Sequence, residues 1–237
     1  MVRIAYILLA HENPAHVSSL ARLLAQSGEN SHVVIHFDLN APDNSYHDLK
    51  AEVAGENRIH CLENRVRCGW GDFSLVEATL RALRYIREHD LGCDRVILLS
   101  GACMPCRPLA ELQAFLEANN DRDFIEIHGP EWIFAGMRED RYLYHHIINH
   151  RRNRLLFKIF YRLQRWLGLK RRFPKNIAPR FGSQWWALTW STCADILCFI
   201  EKNPDILNYF RTTWIPDEMF FQTLVNHIEP ENKNFSR

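Results

Sequence analysis

RIAYILLAHENPAHVSSLARLLAQ, residues 3–26, sets two kinds of apolar pattern side by side. The short run at 3–9 (RIAYILL) reads as a strand. Residues 14–26 suit a helix opened by Pro14. The same alternation continues along the first 130 residues. Strands are predicted at 32–37 (HVVIHF), 58–62 (RIHCL), 94–99 (DRVILL) and 123–127 (DFIEI). Helices are predicted at 73–88, where Val76, Leu80, Leu83 and Ile86 recur at three- and four-residue steps, and at 108–119. Asp72 or Ser74 can cap the first of these.

Strand-helix alternation of this kind argues for a mostly parallel sheet covered by helices, because parallel strands need crossover connections. Ligands of such sheets sit beyond the carboxyl ends of the strands. The residues leaving those ends are Ala10, His11 and Glu12, then Asp38, then Ser100 and Gly101. No G-x-G-x-x-G follows a strand and no G-x-x-x-x-G-K-[ST] occurs, which disfavours a dinucleotide fold and excludes a P-loop. Beyond residue 130 a basic helical stretch runs to about 169. A strand-like GSQWWALTW (182–190), a helix at 191–202 and a last helix opening at Pro216 follow. No Gly/Ser/Pro-rich linker intervenes, so 1–237 reads as one domain with a long insertion.

Of the 237 residues, 47% are hydrophobic and 24% charged, the composition of an ordinary globular protein. A net charge of +1 gives no global reason to expect a nucleic-acid partner. The charge is uneven, however. Residues 151–175 hold ten of the 29 Lys/Arg and no acid, leaving 19 to face all 28 acids elsewhere. Within that stretch Leu156, Ile159, Phe160, Leu163, Trp166 and Leu167 share one face, while Lys158, Arg162 and Arg165 share another. Two readings stay open: peripheral contact with an anionic membrane, or an apolar face packed on the sheet. The seven cysteines are irregularly spaced, no secretory leader is apparent, and no window reaches the roughly 20 apolar residues of a span. A cytoplasmic setting fits, with cysteines acting mostly as small hydrophobes.

Several local patterns carry chemistry. Asp38 ends a strand, where a carboxylate can accept from a ribose or base edge; the plainer account is a turn starter in DLNAPDN. Gly69 and Gly71 flank Trp70, which suits a ring lying against a ligand or a hydrophobic plug equally well. CMPC (103–106) has redox spacing but no second Cys pair. Asp121-Arg122-Asp123 precedes a strand, the wrong end of the sheet for a metal-holding D-x-D, and reads as a solvated turn. His146 and His150 have i, i+4 spacing without H-E-x-x-H and read as surface or core histidines. Pro216, Asp217 and Glu218 read locally as a helix start, with proline at the first position and acids in the first turn.

Taken together, YILLAHENP, VVIHFD, WGDFSLVEATLRAL, VILLSGACMPCRPL, FIEIHG, GSQWWALT and PDEMFFQTL stand in one order at compatible spacings. That series resembles the core-2/I-branching β-1,6-N-acetylglucosaminyltransferase family, which includes the peptide O-xylosyltransferases. The resemblance covers residues 3–237. It implies a glycosyltransferase A-type fold and an inverting transfer from a UDP-sugar (UDP-GlcNAc or UDP-xylose) to a glycan or glycolipid acceptor. No cofactor and no metal are expected. About 1–130 would be the nucleotide-sugar half and 131–237 the acceptor and catalytic half.

Residue by residue, the resemblance puts donor binding on Ala10, His11, Asp38, Trp70, Ser100 and Gly101. Sugar and acceptor contacts fall on Glu126, Gly182, Ser183, Gln184, Trp185, Trp186 and Asp217, and the general base on Glu218. The family's diphosphate-binding Lys/Arg follow the last helix, where this chain offers Lys233 and Arg237, so the expectation is either a domain truncated at its C-terminus or a basic insertion, 151–175, that takes over this role. Met104 stands where an aromatic residue is usual, and Asp72 where a glycine is. A single displacement needs one base and no nucleophilic residue, so one carboxylate suffices. The alternative reading is a non-catalytic sugar-nucleotide or glycan-binding module, or a membrane-surface module, on the same fold.

Overall fold

The computed structural model describes residues 1–132, 141–174 and 177–229. Its first part alternates β1 (Ile4–Ala10), α1 (Pro14–Ala25), β2 (His32–Phe37), α2 (Asp43–Glu52), β3 (Ile59–Cys61), α3 (Ser74–Glu88), β4 (Arg95–Ser100), α4 (Leu109–Ala118) and β5 (Phe124–Ile125). There follow α5 (Arg154–Trp166), β6 (Trp186–Thr189), α6 (Trp190–Lys202), α7 (Pro204–Phe210) and α8 (Phe220–Ile228). The six strands form one sheet in the order β3-β2-β1-β4-β6-β5. β1 pairs in parallel with β2 and β4, and β2 with β3. β6 runs antiparallel to β4, with Arg95 opposite Thr189. The expected α/β class, a mostly parallel sheet flanked by helices with a basic helical stretch after it, holds.

Residues Met1–Cys68, Ala78–Phe124 and Trp185–Ala194 make one compact unit; Gly69–Glu77, Ile125–Gln184 and the described residues from Asp195 onward make a second. In the first unit, Ile4, Tyr6 and Leu8 of β1 are buried with Val33, Ile35 and Phe37 of β2 and with Val17, Leu20 and Leu24 of α1. Burial of each such aliphatic or aromatic side chain stabilises the fold by about 1.5–3 kcal/mol. The helical spacing read at 73–88 also holds, since Val76, Leu80, Leu83 and Ile86 are all buried.

Two polar residues are sunk into this unit. Arg95, at 1% exposure, donates to the carbonyls of Asn119 (3.0 Å), Asn120 (3.3 Å), Arg122 (2.6 Å) and Ala187 (3.3 Å). It thereby puts a cation at the C-terminal end of α4, where orphan carbonyls gather. Asp123, expected in a solvated turn, is instead 2% exposed. It accepts from the Thr189 N–H (2.6 Å) and the Thr192 hydroxyl (2.6 Å). A carboxylate beside two well-placed donors is more stable fastened than hydrated, which reverses the surface reading.

The second unit is held by aromatic contacts. Phe220 meets Phe73, Phe210 and Phe221 edge to face, with centroids 5.2–6.0 Å apart. The expected helix start at Pro216 is corrected. Pro216–Glu218 form a single 3₁₀ turn, and α8 opens only at Phe220. Ile215 sits in the left-handed region (φ 52, ψ 57) and Met219 is extended in φ (−136), so dihedrals on both sides interrupt the helix. A β-branched residue at positive φ is a strained position.

Candidate active site

The first unit gathers its candidates at the carboxyl ends of β1, β2 and β4. Asp38 donates its N–H to the Ala10 carbonyl at 2.7 Å, and Gly101 donates to Leu9 at 2.8 Å. The three strand ends are thus stitched at one edge of the sheet. Gly101 approaches so closely that a β-carbon on it would lie 2.5 Å from that of Ala10. The Asp38 carboxylate accepts from the N–H groups of Asn40 (2.8 Å) and Cys68 (3.0 Å) through Oδ1. Ala10, His11, Ser100 and Gly101 line a cavity of about 240 Å³, together with Asn13 and His16. Asn13 adopts a left-handed conformation and caps α1 by accepting from the His16 N–H at 3.2 Å. The α1 N-terminus, with its positive dipole end, therefore opens beside this cavity. The contributions of Asn13 and His16 escaped the sequence reading, although the Asn-Pro helix start was their visible signal.

The second unit gathers Glu126, Gly182, Ser183, Asp217 and Glu218. Glu126 accepts from the Ser183 N–H through Oε2 (2.9 Å) and pairs with His128 through Oε1 (2.9 Å). Gly182 donates its N–H to the Glu218 carbonyl at 3.1 Å, and Gln222 donates to the Ser183 carbonyl at 2.6 Å. The decisive partner of Glu218 is Arg141, which donates through Nη1 to Oε2 at 3.1 Å. Arg141 is 1% exposed while the Glu218 side chain is 27% exposed, so a buried cation orients a half-buried carboxylate. Burial pulls the Arg141 guanidinium below its ordinary range, opposed by Glu218 and Asp217. Nothing in the local sequence announced Arg141, which lies 77 residues from its partner.

Asp217 is buried beside them, with Oδ1 lacking a hydrogen-bond partner among the described residues. Burial pushes its carboxyl up to about 7; Glu218 and Asp72 reinforce the rise while a backbone hydrogen bond and Arg141 oppose it. Trp70 is 43% exposed, meets Trp214 edge to face at 6.5 Å and carries the Arg151 guanidinium over its ring at 4.6 Å. His146 and His150 belong to an aromatic cluster with Phe157 and Trp214.

The GSQWW segment divides. Gly182, Ser183 and Gln184 lie in the second unit, whereas Trp185 and Trp186 lie in the first. Trp186 begins β6 and is 4% exposed, while Trp185 is 40% exposed. Cys103 and Cys106 are not joined in a disulfide, and neither are the other five cysteines. Lys233 and Arg237 lie outside the described residues.

The sequence was also compared with known families and known proteins. The family model for the core-2/I-branching enzyme matches residues 4–237. The chain belongs to the core-2/I-branching enzyme family. Among relatives of this family member, Xylosyltransferase 2 of Pan troglodytes is 30% identical over 232 residues, covering 95% of this chain and 25% of the relative. Xylosyltransferase 2 of Homo sapiens is 29% identical over 231 residues, with the same coverage. Xylosyltransferase oxt of Drosophila melanogaster is 27% identical, covering 96% of this chain and 25% of its own. The chain thus spans about a quarter of the length of the curated relatives it matches. The crystal structure of a 4-diphosphocytidyl-2C-methyl-D-erythritol synthase from Anaerococcus prevotii overlaps 99% of the chain and 86% of its own, at 11% identity and a TM-score of 0.49. That likeness is too weak to add to the family match. Among the described residues, no helix is long and apolar enough to cross a membrane.

Proposed function

We propose that this core-2/I-branching family chain is the catalytic domain of an inverting glycosyltransferase. It moves N-acetylglucosamine or xylose from a UDP-sugar to a hydroxyl of a glycan or glycolipid acceptor. The relatives named xylosyltransferases make UDP-xylose the first donor to test. The observation that carries the reading is the Arg141–Glu218 pair. It engages Oε2 and, among the described residues, leaves Oε1 for a hydroxyl proton.

In this reading Glu218 removes the proton from the acceptor hydroxyl. The acceptor oxygen bonds to the anomeric carbon, and the bond from that carbon to the diphosphate breaks, its electron pair leaving with UDP. Arg141 holds the base in one orientation, which converts binding into a near-attack geometry. Asp38, Ala10, His11, Ser100 and Gly101 take the nucleotide, with Trp70 as a stacking surface. Glu126, Gly182, Ser183, Gln184, Trp185, Trp186 and Asp217 serve the sugar and acceptor. Lys233 and Arg237 offset charge developing on the leaving diphosphate. No divalent metal is required. The chain's D-x-D supports this, because the Asp123 carboxylate is already engaged by Thr189 and Thr192.

The test is UDP release from UDP-xylose and UDP-GlcNAc over a panel of acceptors, with and without EDTA. Glu218→Gln is expected to lower kcat by about 10²–10⁴ while UDP affinity is preserved. Wild-type turnover by that variant would remove Glu218 from the mechanism. Strict dependence on a divalent cation would overturn the metal-free reading.

A further inference from the structure

Helix α5 turns an apolar stripe away from its own unit. Its buried positions are Phe157 and Gln164, seven residues apart and so on one side. Gln164 is clamped at both ends of its amide, accepting from the His145 N–H and donating to the His145 carbonyl, each at 2.8 Å. Phe157 packs on His146 and Trp214 at 5.2 and 5.3 Å. These contacts fix the rotation of the helix.

With that rotation fixed, Leu155, Ile159, Leu163 and Trp166 point outward, at 69, 52, 46 and 81% exposure. They follow one another at steps of four, four and three, a single line along the helix. Arg154, Lys158, Arg162 and Arg165 form a second exposed line along the flank of the first. From Arg141 to Ala194 the chain contains no acid at all. Beside the stripe a groove of about 480 Å³ is lined by Ile147, Phe160, Leu163, Leu167 and Leu169, with Lys170 at its rim. The reading in which this apolar face packs on the sheet is therefore corrected. The core contact is made by Phe157 and Gln164, and the apolar face looks out.

We propose that α5 docks the protein on an anionic lipid bilayer. The helix lies in the plane of the interface, its apolar line and the adjoining groove among acyl chains and its four cations at the lipid phosphates. An exposed apolar stripe flanked by Arg and Lys, with a tryptophan at one end, is the composition of an interfacial helix. The long basic side chains reach the phosphates while their stems cover apolar surface. A second copy of the chain is a poorer occupant. Pairing two α5 stripes would bring like charges together, and this segment has no acid to offset them.

Vesicle co-sedimentation of the whole chain tests the proposal. Binding is expected to phosphatidylcholine vesicles containing phosphatidylglycerol, to weaken with salt, and to be absent from pure phosphatidylcholine. Each cation removed should weaken partition about fivefold. Lys158→Glu with Arg162→Glu should therefore weaken it by well over tenfold. Ile159→Glu with Leu163→Glu, both at exposed positions, should abolish it with the circular dichroism of the fold unchanged. No binding to the anionic vesicles, equal binding to both compositions, or indifference to both variants would overturn the proposal. So would light scattering that finds a dimer dissolved by Ile159→Glu and Leu163→Glu in a protein that ignores vesicles.

Discussion

Gly182 lies so close to Glu126 that a β-carbon on it would stand 1.9 Å from the Glu126 carbonyl oxygen. The obstacle is backbone and cannot swing aside as a side chain would. Gly182→Ala must therefore push apart the segments joined by the Gly182 N–H to Glu218 and the Ser183 N–H to Glu126. The expected cost is about 1–3 kcal/mol, read as a lower denaturant midpoint at unchanged slope. Turnover should fall with it, because the displaced amide braces the turn that carries Glu218.

Arg141 and Glu218 form a pair in which only the arginine is fully buried. Arg141→Met removes the donor that orients the carboxylate while roughly preserving volume. A stability loss of about 1–3 kcal/mol is expected, together with a fall in kcat much larger than any change in UDP affinity. Arg141→Lys keeps the charge but not the fork, and should recover stability better than turnover. Equal effects of both variants on UDP binding and on kcat would show that Arg141 serves the fold alone.

Asp217 makes stability depend on pH in an unusual direction for a carboxylate. Its carboxyl titrates near 3.8 without the fold and is pushed up to about 7 within it. Between those values the folded chain retains a proton that the unfolded chain has released. Stability is therefore full at the acid end of this window and falls as pH rises through it, levelling off above about 7. Asp217→Asn should abolish that slope, gaining on the wild type as pH increases. The difference is bounded at about 4 kcal/mol by the free energy of a pKa shift. Urea melts of both proteins between pH 4 and 8 measure it, and parallel curves would refute the buried carboxylate.

Asp123 fastens the start of α6 to the segment before β5. Asp123→Ala removes the acceptor shared by the Thr189 N–H and the Thr192 hydroxyl, at an expected cost of about 2–4 kcal/mol. Asp123→Asn, which retains one acceptor oxygen, should lose less. Both should leave metal dependence untouched, whereas a change in it would make the D-x-D a binding site after all.

The sheet was legible because its buried strands are written as unbroken apolar runs, and α3 because four core residues recur at helical steps. Helix α2 was not, since only Tyr46 and Leu49 of its ten residues are buried and two positions define no period. The seven residues of α7 were too short to show one. At Pro216 the local signs of a helix were genuine, but the left-handed Ile215 and the break at Met219 confined them to one 3₁₀ turn. Glu218 was proposed as the base from the order of motifs alone. Its partner could not be named, because Arg141 comes from distant sequence without a motif of its own. In α5 the two faces were visible, but which one turned inward was decided by Phe157 and Gln164, a pair that no hydropathy pattern singles out.

Arg95 has a dynamic corollary. The four carbonyls on its guanidinium come from the end of α4, the approach to β5 and the interior of β6. None of these segments can swing open without stripping a buried cation of part of its coordination, so fraying at that side of the sheet is suppressed in favour of a joint opening. Amide protons of β4, the last turn of α4 and β6 should then exchange with deuterium as one cooperative group. Arg95→Met should split that group into separately exchanging pieces.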